Sequence, residues 1–315
     1  MSQTVIFRIL GWIFCGILLG MSSVACVGEG AAGQGEVLIV ISGGQAMRQG
    51  FPHMEGEDER AFKDGWTLRF EQFIVSLGRV VLRDPQQGKE VAVWSGPHVV
   101  DVRKLELAQN VEQGVEIARL EGVPARRLDI DLEFQKPTQQ SVFREVSAQD
   151  KAEILEKKLT FLITGTAEKD GKIIRFRFGL SDPFRSTACT NGEDGTRGLA
   201  VQANKKTTPT IFLHSVHMFV STLRSGHDNL RFEPFVAMAS KQNLVTSEDL
   251  KQQSLLDLKD RDGNPLLDEQ GNKLVFDDQG LLPPNRLNLL AYLELAVRDS
   301  IHFNITGLCK IRDLI

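Results

Sequence analysis

The sequence predicts a mainly β protein: a β-sandwich domain over residues 36–146, then a β-rich domain over residues 147–315 with a small helical cap at about 228–300. Three observations predict this class. Short apolar or alternating stretches recur along the chain, turn signals separate them, and helical periodicity is confined to a few segments of the second half. A chain of 315 residues has room for two domains.

The first residues have the pattern of an export signal. One charge, Arg8, precedes an apolar run over residues 9–21, which is shorter than a spanning helix needs and fits the core of a signal peptide. Small residues lead to Cys26, and a Gly-rich stretch follows it. We therefore expect a signal peptide over residues 1–25 and a flexible tether over residues 26–35.

Residues 22–26, Ser-Ser-Val-Ala-Cys, resemble a bacterial lipobox, with Ser23 where that family usually has Leu. The resemblance implies that Cys26 receives lipid and anchors the protein to a membrane, in the periplasm or at the outer membrane. The alternative is a plain secretory peptide that leaves Cys26 as an ordinary thiol in a soluble secreted protein.

Composition, net charge and cysteine content limit the kinds of protein that this chain can be. The chain is 42% apolar and 25% charged, which excludes disorder throughout, and its net charge of -4 gives no basic surface for nucleic acid. Cys15 lies in the expected signal peptide. Cys189 and Cys309 remain as a pair, and in an oxidising compartment we expect a disulfide; the alternative is two separate thiols.

The first half is expected to contain a series of strands joined by turns. The polar stretch 43–64 predicts a long loop in which His53 is solvated. The alternation of apolar and polar side chains shifts by one position near Gln72, which predicts a bulge in the long strand there. The expected strands are residues 37–41, 66–82, 91–94, 99–107 and 128–134.

Residues 128–134 alternate four apolar side chains with Asp129, Asp131 and Glu133. We interpret these carboxylates as a solvated strand face, with a cation site as the alternative. The run from Val80 to Phe134, with Val-Pro-Ala at residues 123–125, resembles transthyretin- or immunoglobulin-like modules of exported bacterial proteins. The resemblance implies a sandwich of that type.

The second half combines strands with short helices. Ser147 and Thr246 each precede an acidic residue three positions later and predict capping boxes, opening helices through Lys157 and into Leu258. Residues 159–167 and 172–180 predict a hairpin. A polar insert at 259–278 carries two Gly turns, and residues 287–297 predict a Leu-rich helix.

The stretch 210–220, Thr-Ile-Phe-Leu-His-Ser-Val-His-Met-Phe-Val, is apolar and β-branched. It predicts a strand buried on both faces, which would place His214 and His217 on opposite faces because side chains alternate along a strand.

These segments together resemble a family of exported bacterial lipoproteins that has no established biochemical function. The family strand usually reads His-Gly-Asp-His, and here Ser215 and Val216 replace Gly-Asp. The family tends to carry an EF-hand-like loop; its counterpart, residues 238–249, has Met238, Ser240 and Gln242 where ligands belong, so we do not expect Ca²⁺ binding. The resemblance rests on Leu162–Ala167, Phe176 to Phe178, Cys189, the stretch 210–219, His302 to Asn304 and Gly307 to Cys309.

The sequence therefore predicts an exported, lipid-anchored binding or scaffold protein whose ligand or protein partner is unknown. The first alternative is a periplasmic metal-binding protein, in which the disulfide brings His302 close to His214 and His217 and the three hold Zn²⁺ or Cu²⁺. The second is a hydrolase with scattered catalytic residues. No Gly-x-Ser-x-Gly, phosphate-loop or His-Glu-x-x-His motif is present, so no catalytic residue is named and an enzyme is not the first choice.

Overall fold

The computed structural model describes residues 33–55, 57–109, 114–224 and 229–314. The expected signal peptide, Cys26 and most of the tether lie outside these residues. The protein is mainly β, with 44% strand and 19% helix, which confirms the expected class. Among the described residues, no helix has the length and apolar character needed to cross a membrane.

Seventeen strands are described. In chain order they are β1 (Gln34–Ser42), β2 (His53–Glu55), β3 (Asp58–Arg60), β4 (Thr67–Arg83), β5 (Glu90–Asp101), β6 (Val115–Pro124), β7 (Arg127–Phe134), β8 (Val142–Arg144), β9 (Phe161–Lys169), β10 (Lys172–Leu180), β11 (Phe184–Thr187), β12 (Leu199–Ala200), β13 (Lys206–Thr207), β14 (Thr210–Leu213), β15 (Leu244–Thr246), β16 (Ile301–Phe303) and β17 (Lys310–Asp313).

The helices are short. The α-helices are α1 (Gly44–Gln49), α2 (Val102–Gln109), α3 (Ala148–Lys157), α4 (Glu233–Val236), α5 (Ser247–Gln252) and α6 (Leu289–Asp299), and two 3₁₀ helices cover Ser215–Phe219 and Pro284–Arg286.

A five-stranded sheet is built around β1. One edge of β1 pairs antiparallel with β6, and its other edge pairs in parallel first with β13 and then with β14, which in turn pairs antiparallel with β16. The continuously apolar character of β1 fits this central place, because a strand covered on both faces has no solvated side. The sheet brings the beginning, middle and end of the described chain together.

A ten-stranded sheet is built around β4. Along its main path the order is β15-β10-β9-β4-β7-β11-β17, and β5, β8 and β12 attach beside it. The pairing of β4 with β9 shifts register between Phe70 and Gln72, which confirms the expected bulge. Because β4 precedes residue 146 and β9 follows it, this sheet crosses the expected domain boundary, and Gly33–Ile315 form one compact unit.

The carboxylate face of β7 is buried rather than solvated, so that expectation was wrong. Asp129, Asp131 and Glu133 are only 8%, 7% and 2% exposed. Each meets an arginine from another segment: Arg197 bonds Asp129, Arg83 bonds Asp131 at 2.8 Å, and Arg185 lies 2.6 Å from Glu133. The arginine side chains cover this face of the strand. The three carboxylates are therefore paired with arginines and are not open to a cation, which argues against the cation-site alternative.

One expected strand and one expected helix end earlier than predicted. The run 99–107 is not extended throughout: β5 ends at Asp101, whose carboxylate accepts the N–H of Lys104 and so begins α2. The capping box at Thr246 is confirmed, but α5 ends at Gln252 because Gln253 adopts an extended conformation, well before Leu258. At Ser147 the N-cap half of the expected capping box is confirmed, with its side chain accepting the N–H of Asp150.

The polar insert forms stacked turns. Leu258, Leu266 and Leu274 recur every eight residues; the N–H of Leu266 bonds the carbonyl of Leu258, and the N–H of Leu274 bonds that of Leu266. Gly263 and Gly271, with φ of 87° and 81°, close the expected turns.

Candidate functional site

Two histidines lie side by side in a turn directly after β14. The strand ends at Leu213, and Ser215–Phe219 form a 3₁₀ helix. With three residues per turn, a 3₁₀ helix aligns side chains three positions apart, so the rings of His214 and His217 lie 4.9 Å apart between centroids. The expected eleven-residue strand with His214 and His217 on opposite faces was therefore wrong.

His302 joins this pair through the five-stranded sheet. It lies opposite Phe212 in the antiparallel pairing of β16 with β14. Its ring centroid is 5.3 Å from that of His214 and 5.0 Å from that of His217. We refer to His214, His217 and His302 as the histidine cluster. The three rings therefore lie close together, as the metal-binding alternative requires, although the expected strand would have separated His214 from His217.

A disulfide holds the terminal segment in place. Cys189 and Cys309 are bonded, as expected, across a sequence separation of 120. Next to the bridge, the N–H of Thr190 bonds the carbonyl of Leu308, and Asn304 donates its side-chain amide to Asn191 at 2.9 Å. The disulfide and these hydrogen bonds thus hold the loop around Cys189 against the tail that carries His302.

Glu55, on the β2–β3 hairpin, orients His214. Its Oε1 lies 2.9 Å from Nε2 of His214, and its Oε2 accepts a 2.8 Å hydrogen bond from Nε of Arg60. The hydrogen bond from His214, aided by Arg60, lowers the pKa of Glu55 to about 2. An ionised carboxylate only accepts, so the Nε2 of His214 carries the proton, and Nδ1 is the nitrogen that has the lone pair in the neutral ring.

His302 is oriented by a backbone carbonyl. Its Nδ1 lies 3.2 Å from the oxygen of Ile305, and a carbonyl oxygen can only accept. The proton is therefore on Nδ1, and Nε2 has the lone pair. Ile305 has a φ of 71°, in the left-handed region that a β-branched residue seldom adopts, and this turn directs its carbonyl at the ring.

His53 and Glu55 also belong to the site, although neither was expected there from the sequence. His53 is 7% exposed rather than solvated, and its Nδ1 lies 3.0 Å from the carbonyl of Gly50. Burial lowers the pKa of His53, so the ring is neutral at pH 7. The alternation His53, Met54, Glu55 was the available signal, because two residues apart in a strand share a face.

A cleft of about 270 Å³ opens beside the histidine cluster. It lies where the parallel strands β1 and β14 both end, a common place for ligands in sheets with parallel strands. Only His214 of the cluster borders it. Its lining is Gly43, Gly44, Gln45, Ala46, Arg48, His53, Met54, Glu55, Phe212, His214, Ser215, Val216 and Ile305.

The cluster is not a preformed metal cage. Within residues 33–55, 57–109, 114–224 and 229–314, no group of three or more His, Cys, Asp or Glu side chains is arranged to hold a metal ion. Comparison with known proteins adds no assignment, since no family model, no curated protein and no solved structure matches the chain.

Proposed function

We propose that the protein is an exported, lipid-anchored metal-binding protein that holds Zn²⁺ or Cu²⁺ through His214, His217 and His302. The observation that carries the proposal is the pair of hydrogen bonds at the outer ring nitrogens. Glu55 binds one nitrogen of His214, and the Ile305 carbonyl binds one nitrogen of His302. Metal-binding histidines in proteins are fixed in this way, by a carboxylate or carbonyl on the nitrogen opposite the metal.

The spacing of the rings supports the same proposal. Three imidazoles that share one ion at about 2.0–2.1 Å from each nitrogen have ring centres about 5 Å apart. The observed separations are 4.9, 5.0 and 5.3 Å. Small adjustments of the outer side-chain torsion, which is broad and soft for histidine, would bring the three nitrogens towards one ion while the hydrogen bonds to Glu55 and Ile305 are kept.

The proposals of export and anchoring at Cys26 rest on the sequence and have one structural support. The Cys189–Cys309 bridge is the kind of bond that persists in an oxidising compartment. For residues 36–146 we propose a sandwich in which β1 and β6 form one layer and β4, β5 and β7 the other. The second half extends both layers, so this sandwich is completed by β9, β14 and their neighbours.

The hydrolase alternative has less support. His214 and Glu55 form a histidine–carboxylate pair, and Ser215 is adjacent. A nucleophilic serine must donate its hydrogen bond to the base, yet the Ser215 hydroxyl has no hydrogen-bond partner among the described residues.

Binding of a ligand without metal is the second candidate function, because the cleft borders His214.

Metal titration of the purified, metal-stripped protein tests the proposal. We expect one equivalent of Zn²⁺ or Cu²⁺ to bind, measured by calorimetry and by metal content after gel filtration. His217→Ala and His302→Ala should each lose binding while retaining the far-ultraviolet circular dichroism spectrum. His98→Ala is the matched control, because His98 packs against Trp94 on β5 outside the cluster. The proposal is overturned when the wild-type protein binds neither ion, or when all three variants bind alike.

A further inference from the structure

We propose that the cleft beside the histidine cluster binds a small carboxylic acid with a short apolar body, and that Arg48 is the residue that anchors its carboxylate. The inference rests on Arg48, which has no part in the metal proposal. It can therefore be tested on protein that contains no metal.

Arg48 supplies the positive charge. It lies in the last turn of α1 and lines the cleft with 23% of its side chain exposed. Its Nη1 is buried and has no hydrogen-bond partner among the described residues. The nearest acidic atom, Oε2 of Glu106, is 3.9 Å away, which is too far for a hydrogen bond. A buried guanidinium N–H without an acceptor is a site for one.

Glu106 makes its hydrogen bonds through its other oxygen, and Oε2, the atom nearest to Arg48, has no hydrogen-bond partner among the described residues. Its Oε1 accepts hydrogen bonds from the Ser42 hydroxyl at 2.7 Å and from the N–H of Gly43 at 2.9 Å. Burial raises the pKa of Glu106, which disfavours the charged form that would neutralise Arg48.

The remaining charge in the cleft does not oppose an anion. Glu55 is the one acidic residue in the lining, and its carboxylate is matched by Arg60 and by the His214 N–H. Arg48, whose nearest acidic atom is the unbonded Oε2 of Glu106 at 3.9 Å, therefore gives the cleft a cation that can bind an anion. A planar carboxylate suits this role, because it can accept two parallel hydrogen bonds from a guanidinium group.

The walls indicate what the carboxylate is attached to. Phe212, Met54 and Ile305 line the cleft, and Met54 and Ile305 are 50% and 57% exposed. A cleft of about 270 Å³ admits a body the size of one aromatic ring or a short alkyl chain. Ser215 offers a buried hydroxyl without a partner among the described residues, and it can bond a polar group at the far end of the ligand.

Binding of benzoate and butanoate to the metal-stripped protein, followed by calorimetry and by chemical-shift changes, is the test. Benzamide is the uncharged control of the same shape. We expect benzoate or butanoate to bind, benzamide to bind at least tenfold more weakly, and Arg48→Gln to weaken carboxylate binding by about 10–100-fold, as loss of a charged hydrogen bond should. Arg48→Lys should retain part of the affinity.

Arg224→Gln is the matched control variant, because Arg224 is 62% exposed and does not line the cleft. It removes the same charge and should leave carboxylate binding unchanged. The proposal is overturned by the absence of binding of both acids, by equal binding of benzoate and benzamide, or by equal affinities of the wild type and Arg48→Gln. Since no metal is present, each of these outcomes is independent of metal binding at the histidine cluster.

Discussion

His214 donates its Nε2–H to Glu55 over 2.9 Å, and this bond joins the turn after β14 to the β2–β3 hairpin. Arg60 holds the other oxygen of the same carboxylate. The orientation of the His214 ring thus depends on a hairpin that belongs to a separate two-stranded sheet. The β2–β3 hairpin is therefore part of the site, together with the three histidines.

Glu55→Gln is expected to reduce metal affinity by about 10–100-fold without abolishing it, because the amide loses the charge that fixes the tautomer of His214. Competition with a chelator of known affinity measures the change. Glu59→Gln on the neighbouring strand is the control, since Glu59 is exposed and pairs with Met54 in register. Equal affinities of the two variants would contradict the orienting role of Glu55.

Ile305→Gly is expected to stabilise the protein by about 1 kcal/mol, because a β-branched residue in the left-handed region carries strain that glycine does not. Ile173→Gly is the control: Ile173 is 53% exposed, comparable to 57% for Ile305, but lies in β10 with an ordinary backbone. It should destabilise by about 0.5–1 kcal/mol. Urea unfolding measures both. A similar loss of stability in the two variants would show that the turn at Ile305 is not strained.

Glu106→Gln should change how stability depends on pH. Burial raises the pKa of Glu106 above its ordinary value of 4.5 in the folded state, so its contribution is fully present below about pH 4.5 and is lost as pH rises through the folded-state pKa. The amide retains an oxygen for Ser42 and Gly43 and does not titrate. The free energy of unfolding of the variant, relative to the wild type, should therefore rise from pH 4.5 to pH 7.5 in urea titrations. A constant difference across this range would argue against a raised pKa.

Replacing both bridge cysteines by serine, at positions 189 and 309, should lower the free energy of unfolding by about 4–5 kcal/mol, because the bridge closes a loop with a sequence separation of 120. Metal affinity should fall as well, since the tail carries His302. Reduction of the wild-type protein is the control and should reproduce both effects. A serine variant with unchanged metal affinity would show that β14–β16 pairing alone positions His302.

Local features of the fold were predictable from local sequence. The hairpin of β9 and β10, the helix caps at Ser147 and Thr246, and the bulge near Gln72 all depend on residues close together in the chain. The burial of Asp129, Asp131 and Glu133 was not predictable in this way. It depends on arginines from β4, β11 and the loop before β12, and alternation along one strand shows which side chains share a face without showing what covers it.

The candidate site was predictable in part. Three of its histidines were identified, and the cysteine pair correctly indicated that the tail lies near the histidine stretch. The turn at Ser215–Phe219 was missed because an apolar β-branched run has the same composition in a strand and in a buried 3₁₀ turn. His53 and Glu55 were missed because the segment around them is polar, while the burial of His53 and the contact of Glu55 with His214 depend on distant parts of the chain.

β14 lies between β1, near the start of the described chain, and β16, near its end. A chain in which β16 has not yet been synthesised cannot bring the three imidazoles together. Pairings of such wide sequence separation form late and slowly. Acquisition of the proposed metal would then follow completion of the chain, and a chain cut by proteolysis before β16 would lack the site entirely.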